Sequence, residues 1–338
     1  MRNLIILLAT LWLAAGPLHA EVYELPPEGY DVIGTVATIT ARYEDTLVDI
    51  ARRHGLGYYD LVKANPGVNV WLPGEGTEIV LPSRFVLPPG PRKGLVLNLA
   101  EYRMYYFPEP EPGRPAYVYT YPMSIGRMDW ETPLGKTRIV AMAKNPAWYP
   151  PQSVREEHAA EGDPLPRVVP PGPANPLGSR AMRLGLPGYL IHGTNRPAGV
   201  GMRVSHGCVR MFPEDIEFLF EQIRVDTPVR IINAPVKIGW DGDVLVAEVH
   251  PLLESSTPPV EETLEHLEQL DADIDLPPPD PNSKDPLTHV TEQFIAATAV
   301  RAGQLDWDLI EKLVERANGI PEVVGTGIKN AATSAAFE

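Results

Sequence analysis

The chain holds one thiol, Cys208, in the run Ser205-His206-Gly207-Cys208-Val209-Arg210-Met211, and a second imidazole, His192, lies a short way upstream. With no other cysteine, Cys208 has no intrachain disulfide partner, so the thiol is either inert or reactive. Attack by sulfur on a carbonyl needs a base to take the proton, donors for the oxyanion and a group that fixes the tautomer of the base. All three types are present. His192 follows the apolar run Gly188–Ile191, which predicts an imidazole at a strand end, and the Gly193 carbonyl is open to its ring N–H. Gly207 permits a sharp turn in which successive backbone N–H groups converge on a developing negative oxygen. Arg210 supplies a fixed cation that can pair a substrate carboxylate or steady the loop.

This arrangement reads as nucleophile Cys208 with base His192. If the imidazole deprotonates the sulfur at rest, alkylation at mildly acidic pH is rapid and His192→Ala abolishes it. A helix starting near Pro213 is expected to help by placing its positive end close to the thiol. Ser205 lacks the Gly-x-Ser-x-Gly setting of a serine nucleophile. His192, His206 and Cys208 lack metal-ligand spacing, so no metal and no cofactor are expected.

The elements that must carry these residues are short strands. Leu95–Leu99, Met104–Phe107, Tyr117–Ile125, Thr137–Ala143, Gly188–His192, Val229–Ile232 and Val244–Val249 are rich in β-branched and aromatic residues, which predicts a mainly antiparallel sheet domain over 94–249. One helix interrupts it from Pro213 to about Gln222. A long proline-rich stretch, Asn145–Asn175, reads as an irregular lid or binding wall, with Trp148 and Tyr149 placed to stack on substrate. Pro82–Pro91 reads as a stiff extended connector.

Upstream, residues 35–82 predict strand, two short helices and strand, with Asp45 capping the first helix and Asn65-Pro66-Gly67 ending the second. Met1–Ala20 has the charge, apolar run and small-residue exit of a secretory signal. No later stretch is long and apolar enough for a permanent membrane span. The net charge of −15 argues against nucleic acid. Between Leu252 and Asp285 ten acids face Lys284 alone, so residues 250–285 read as a solvated acidic, proline-rich segment; 286–338 then regain helical pattern at Pro286–Ala299 and Asp306–Ala317.

Two resemblances follow from these residues. The element order of 35–82, with Asp45-Thr46-Leu47, Ile50-Ala51 and Ala64-Asn65-Pro66-Gly67, resembles a LysM module, although Glu44 stands where a glycine is usual. That resemblance implies a βααβ domain binding glycans such as peptidoglycan, with Asp45, Thr46, Asn65 and Pro66 as the glycan-binding residues. Ile191-His192-Gly193-Thr194-Asn195 followed by Ser205-His206-Gly207-Cys208-Val209-Arg210-Met211 resembles the YkuD-type L,D-transpeptidases, and the whole layout is similar to the periplasmic ErfK/YbiS/YcfS/YnhG group.

The second resemblance implies a YkuD-type β-sandwich or barrel-like catalytic domain, an accessory βααβ module and a partly helical C-terminal extension. It also implies acyl transfer in the periplasm on peptidoglycan stem peptides, with the Gly207 and Cys208 N–H groups holding the oxyanion and Ser205, His206 and Arg210 shaping and anchoring the site. Cys208 would take the acyl group from the meso-diaminopimelate carbonyl of a tetrapeptide, releasing D-alanine. An amine would then accept it, either a lysine of an outer-membrane lipoprotein, which the extended tail favours, or a second diaminopimelate. Carbapenems would acylate Cys208.

Overall fold

The strand Gly94–Asn98 is buried at every residue, which requires cover on both faces of its sheet. That requirement organises the molecule. In the computed structural model, which describes residues 21–253 and 285–328, the elements run as follows. The first part comprises β1 (Glu21–Glu24), β2 (Val32–Gly34), β3 (Ala37–Thr40), α1 (Leu47–Arg53), α2 (Tyr58–Ala64), β4 (Glu78–Leu81) and β5 (Arg84–Val86). There follow β6 (Gly94–Asn98), β7 (Arg103–Phe107), β8 (Tyr117–Pro122), β9 (Ile125–Gly126), β10 (Gly135–Lys144), α3 (Gln152–Ala160), β11 (Arg180–Leu184) and β12 (Leu190–His192). The site and the remainder comprise β13 (Arg203–Ser205), β14 (Val209–Arg210), α4 (Pro213–Gln222), β15 (Pro228–Ile232), β16 (Val236–Asp241), β17 (Val244–Val249), α5 (Pro286–Thr298), β18 (Gly303–Leu305), α6 (Trp307–Arg316) and β19 (Glu322–Gly327). The expected signal, residues 254–284 of the acidic segment and the last ten residues lie outside the described residues.

A nine-stranded sheet runs β1-β8-β7-β6-β15-β10-β11-β12-β14. It is mainly antiparallel, with parallel pairs at β6/β15 and β12/β14, and a bridge from Ser124 to Arg210 curls its far edge back toward β8. Leu95 and Leu97 of β6 point into a core with Met104, Tyr121, Ile139, Ile191 and Val209, closed by Ile216 and Leu219 of α4. Val96 faces the other way, into a cluster with Leu47, Ile50, Leu61, Ile79 and Phe85. Each such fully buried aliphatic side chain contributes about 1.5–3 kcal/mol.

The first part therefore docks through a continuous core. In it β3 and β4 pair antiparallel around α1 and α2, a βααβ order. Arg103 of β7 is buried there: it stacks on Phe85 at 4.2 Å and donates to Asp60 at 2.6 Å.

Several expectations need correction. Thr46, not Asp45, caps α1: its hydroxyl accepts the Asp49 N–H at 3.1 Å, and the Asp49 carboxylate accepts the Thr46 N–H at 3.3 Å. Asp45 is buried, accepting the Arg42 N–H at 2.9 Å and pairing with Arg53 at 2.9 Å. Pro82–Pro91 is no connector, since β5 pairs with β2 and buries Phe85, Val86 and Leu87. The long loop contains α3. Val244–Val249 leaves the large sheet and joins a second one, β16-β17-β19-β18, covered by α5 and α6.

The two sheets meet over a buried charged cluster. Lys237 Nζ lies 2.6 Å from Glu101 and 2.9 Å from Glu248, and donates to the Tyr105 hydroxyl at 3.1 Å. His250 donates to Glu248 at 2.7 Å. Burial pushes both carboxyls up and holds His250 down to about 3.

Candidate active site

The last two strands of the large sheet bring the chemistry together. β12 and β14 run parallel with Ile191 opposite Val209 and His192 opposite Arg210. Extended by one residue this ladder sets Leu190 opposite Cys208, and the period-two alternation of a strand puts Cys208, Arg210 and His192 on one face. The Met211 N–H donates to the His192 carbonyl at 2.9 Å and locks the register.

His192 is buried, and Nδ1 lies 2.6 Å from the Gly193 carbonyl. A carbonyl only accepts, so Nδ1 carries the proton and Nε2 keeps its lone pair. Burial first, and the Arg210 cation second, hold the imidazole down to about 3, so it is neutral at physiological pH. Cys208 is partly open to solvent and its thiol donates to the Gly188 carbonyl at 3.7 Å. Burial pushes the thiol above its ordinary range, outweighing the Leu190 backbone hydrogen bond and Arg210, which lower it. Both shifts favour a thiol beside a neutral imidazole, because desolvation dominates at this sulfur.

Gly207 has φ of +89°, and a Cβ there would sit 2.8 Å from Tyr189 Cε1, so the turn needs glycine. Its carbonyl accepts from the Thr132 hydroxyl at 2.8 Å. Ser205 is buried and its hydroxyl donates to the Cys208 carbonyl, clamping the turn. Arg210 Nε is buried without a hydrogen-bond partner, and among the described residues no carboxylate pairs with its guanidinium. Arg196 and Arg127 add positive charge nearby.

His206 does not face a base's task. Its Nε2–H donates to Glu157 of α3 at 2.7 Å, and its ring meets Trp130 edge-on at 5.3 Å. The other Glu157 oxygen accepts from Arg127 at 2.6 Å. Glu157, Arg127, Trp130 and Thr132 are site residues that sequence reasoning missed, because no local pattern marks them. Trp148, expected to stack on substrate, is fixed within its loop by a two-way backbone bridge to Val169, and Tyr149 is exposed. From that segment, Glu157 is tied to the cysteine loop through His206.

The residues expected to bind glycan are mostly engaged by the fold. Asn65 is buried, donating to the Leu61 and Val80 carbonyls at 2.8 and 2.9 Å and accepting the Val80 N–H at 2.7 Å. Asp45 and Thr46 are held as described above, and Pro66 alone of the four is exposed. Exposed apolar groups of the same unit are Val36, Tyr43, Trp71 and Leu72.

Among the described residues one group has metal-compatible donors close together, Glu101, Glu248 and His250, and there the Lys237 ammonium is the cation. No helix among the described residues is long and apolar enough to cross a membrane.

A model of the YkuD family, described as L,D-transpeptidase catalytic domain, matches residues 92–231. The chain is 35% identical over 309 residues to the probable L,D-transpeptidase ErfK/SrfK of Salmonella typhimurium, covering 90% of this chain and 91% of that one. It is 40% identical to the probable L,D-transpeptidase YcfS of Escherichia coli, over 70% of this chain and 75% of that protein. It is likewise 40% identical to the probable L,D-transpeptidase YbiS of the same species, over 66% and 72%. A crystal structure of L,D-transpeptidase 3 from Mycobacterium tuberculosis is similar at 19% identity and a TM-score of 0.31, over 46% of this chain and 67% of that one.

Proposed function

The chain belongs to the L,D-transpeptidase family, and from that premise we propose that Cys208 carries a peptidoglycan acyl group between two amines in the periplasm. The observation that carries this reading is the parallel strand pair, which sets the Cys208 segment beside a neutral His192 whose Nδ1–H is held by Gly193.

The substrate is a tetrapeptide stem. As its third-residue carbonyl, that of meso-diaminopimelate, approaches, His192 Nε2 takes the thiol proton and sulfur bonds to carbon. The Gly207 and Cys208 N–H groups bind the oxyanion, and Arg210, whose Nε has no hydrogen-bond partner among the described residues, holds a stem carboxylate. The carbon–nitrogen bond breaks as His192 returns the proton to the leaving D-alanine amine, leaving a thioester. A second amine then attacks, His192 takes its proton, and the sulfur leaves as a thiol. A lysine of an outer-membrane lipoprotein is the acceptor favoured by the extended tail, and a second diaminopimelate would give a 3→3 cross-link.

Residues 35–82 serve in this reading as a LysM-like glycan-docking unit. Because Asp45 and Asn65 are turned inward, exposed Tyr43 and Trp71 are better placed to stack on sugar rings.

Incubating the mature protein with tetrapeptide muropeptides, with and without the lipoprotein, tests the assignment. Release of D-alanine and an acyl-enzyme mass on Cys208 are expected, both lost in Cys208→Ala. A carbapenem should likewise form a Cys208 adduct. D-alanine release that survives Cys208→Ala, or no release at all, would refute the reading.

A further inference from the structure

The segment that carries the nucleophile is held on both sides by the βααβ unit. Downstream, Arg52 in the last turn of α1 grips Glu214 in the first turn of α4 with two bonds, Nε at 2.7 Å and Nη2 at 2.8 Å. Its guanidinium also lies 5.6 Å from the centre of the Phe212 ring. Phe212 is buried and ends the short run that leads from Cys208 into α4. Upstream, the first N–H groups of α2 point at the loop between His192 and Ser205. The Tyr58 N–H donates to the Val200 carbonyl at 3.1 Å, and the Tyr59 N–H donates to the Gly201 carbonyl at 3.4 Å. These are donors that a helix start leaves without intrahelical partners, and here the catalytic loop supplies the acceptors.

The approach at this second contact is tight. A Cβ on Gly201, whose φ is +85°, would lie 2.4 Å from Tyr58 N and 2.5 Å from Gly57 Cα. Neither backbone can retreat freely. The Asp60 carboxylate of α2 accepts the Gly57 N–H at 2.8 Å and the Arg103 guanidinium at 2.6 Å, which anchors the helix start to the large sheet. The opposite side of the loop is pinned to the sheet by the Ser124 hydroxyl, which donates to the Gly199 carbonyl at 2.7 Å.

We infer that the βααβ unit is a positioning part of the catalytic site: through Arg52 and the Gly57–Tyr59 backbone it fixes the segments on either side of Cys208. Arg52 and Gly57 act through the residues they touch, Phe212–Glu214 and Val200–Gly201. A nucleophile must be held within a fraction of an ångström of its productive position, and displacements of about 1 Å can cost on the order of 100-fold in rate. This role rests on Cys208 being the nucleophile, and it adds to the glycan-docking role of the same unit.

The test uses the full mature chain, with D-alanine release from a tetrapeptide muropeptide resolved into kcat and KM. Wild-type release together with the Cys208 acyl-enzyme mass establishes the underlying reading first, so that its failure is seen separately. Arg52→Ala and Glu214→Ala should each lower kcat by roughly fivefold with KM nearly unchanged, the scale of one well-formed ion pair. The reversed pair, Arg52→Glu with Glu214→Arg, should recover most of the loss. Arg53→Ala, which breaks an ion pair inside the unit, should lower the melting temperature and leave kcat alone. Gly201→Ala should lower kcat further, by about 10- to 100-fold. Unchanged kcat in both single variants, a reversed pair that recovers nothing, or an Arg53→Ala loss equal to that of Arg52→Ala would each overturn the inference.

Discussion

The state of the sulfur at rest is open to a direct kinetic test. Burial holds the Cys208 thiol above its ordinary value, and burial with Arg210 holds His192 down to about 3. A thiol held above its ordinary value carries only a small thiolate fraction at pH 7. Alkylation by iodoacetamide reads that fraction, so its rate should rise about tenfold per pH unit from pH 5 to 8 with no plateau. A neutral imidazole does not set the thiolate fraction, and the causes acting on the thiol are burial, Leu190 and Arg210. In His192→Gln the alkylation curve should therefore overlay the wild type within about twofold, while D-alanine release falls by roughly 10²–10⁴, the usual contribution of a general base. Arg210→Gln, by contrast, should change alkylation: without the cation the thiol rises further, and labelling below pH 8 slows. Rapid quench with mass spectrometry of the intact protein measures both processes. A labelling plateau between pH 5 and 7 that collapses in His192→Gln would show a thiolate–imidazolium pair and refute the neutral-pair assignment.

Other consequences follow from particular contacts. Lys237→Met leaves Glu101 and Glu248 buried without their ammonium, and should destabilise the chain by about 3–5 kcal/mol in urea unfolding. Asn65→Ala removes three buried hydrogen bonds and should cost roughly 2–4 kcal/mol; a loss of glycan affinity without loss of stability would instead make Asn65 a sugar ligand. His192 and His250 are held at about 3, below the unfolded value of about 6.5, so the unfolded chain binds more protons between those limits. The stability they confer is complete above pH 6.5 and is lost as pH falls, by up to about 1.4 kcal/mol per pH unit for each, and His250→Gln should flatten the slope. Glu157→Gln weakens the tie between α3 and His206 and should raise KM for the stem peptide a few-fold with kcat nearly unchanged.

What was legible in the sequence was local. Gly207, Cys208 and Arg210 sit within four residues, and His192 ends its own apolar strand, so residue type and spacing together point at one chemistry. The helix from Pro213 shows in its proline start, acidic first turn and apolar face. Thr46 and Asp49 carry a capping-box spacing that could have assigned the cap to Thr46, but the adjacent Asp45 is an equally good cap by residue type. What was hidden depends on distant partners. Arg84–Val86 is three residues between prolines, and only its pairing with Val32–Gly34 makes it a strand. Val244–Val249 has ordinary strand composition, and nothing local says which sheet it joins. Glu157 comes from a proline-rich loop whose nine-residue helix begins directly after Pro150-Pro151, a position where proline suits a helix start as well as a loop.

The parallel pairing of β12 with β14 explains why this site needs support from outside its own sheet. Antiparallel neighbours can be joined by a tight turn, whereas parallel ones need a crossover, which in most proteins is an α-helix packed on the sheet. Here the crossover spans residues 193–208 and contains the single 3-10 turn Pro197–Gly199 and the three-residue β13. Such a segment has few internal hydrogen bonds to fix it, yet it delivers Ser205, Gly207 and Cys208. Its anchors come from elsewhere: β9 pairs with β13, the Ser124 hydroxyl and the Ile125 N–H donate to Gly199 and Met202, and the α2 start donates to Val200 and Gly201. The first two come from Ser124–Gly126, a segment bridged at Ser124 to Arg210 of the large sheet. The third comes from the βααβ unit, so detaching that unit while leaving the sheet intact should loosen the nucleophile before it unfolds the domain. Hydrogen exchange in Gly201→Ala reads this directly: faster exchange at residues 197–208 with β6 and β7 still protected is the expected result, and uniform protection would show that the sheet alone holds the loop.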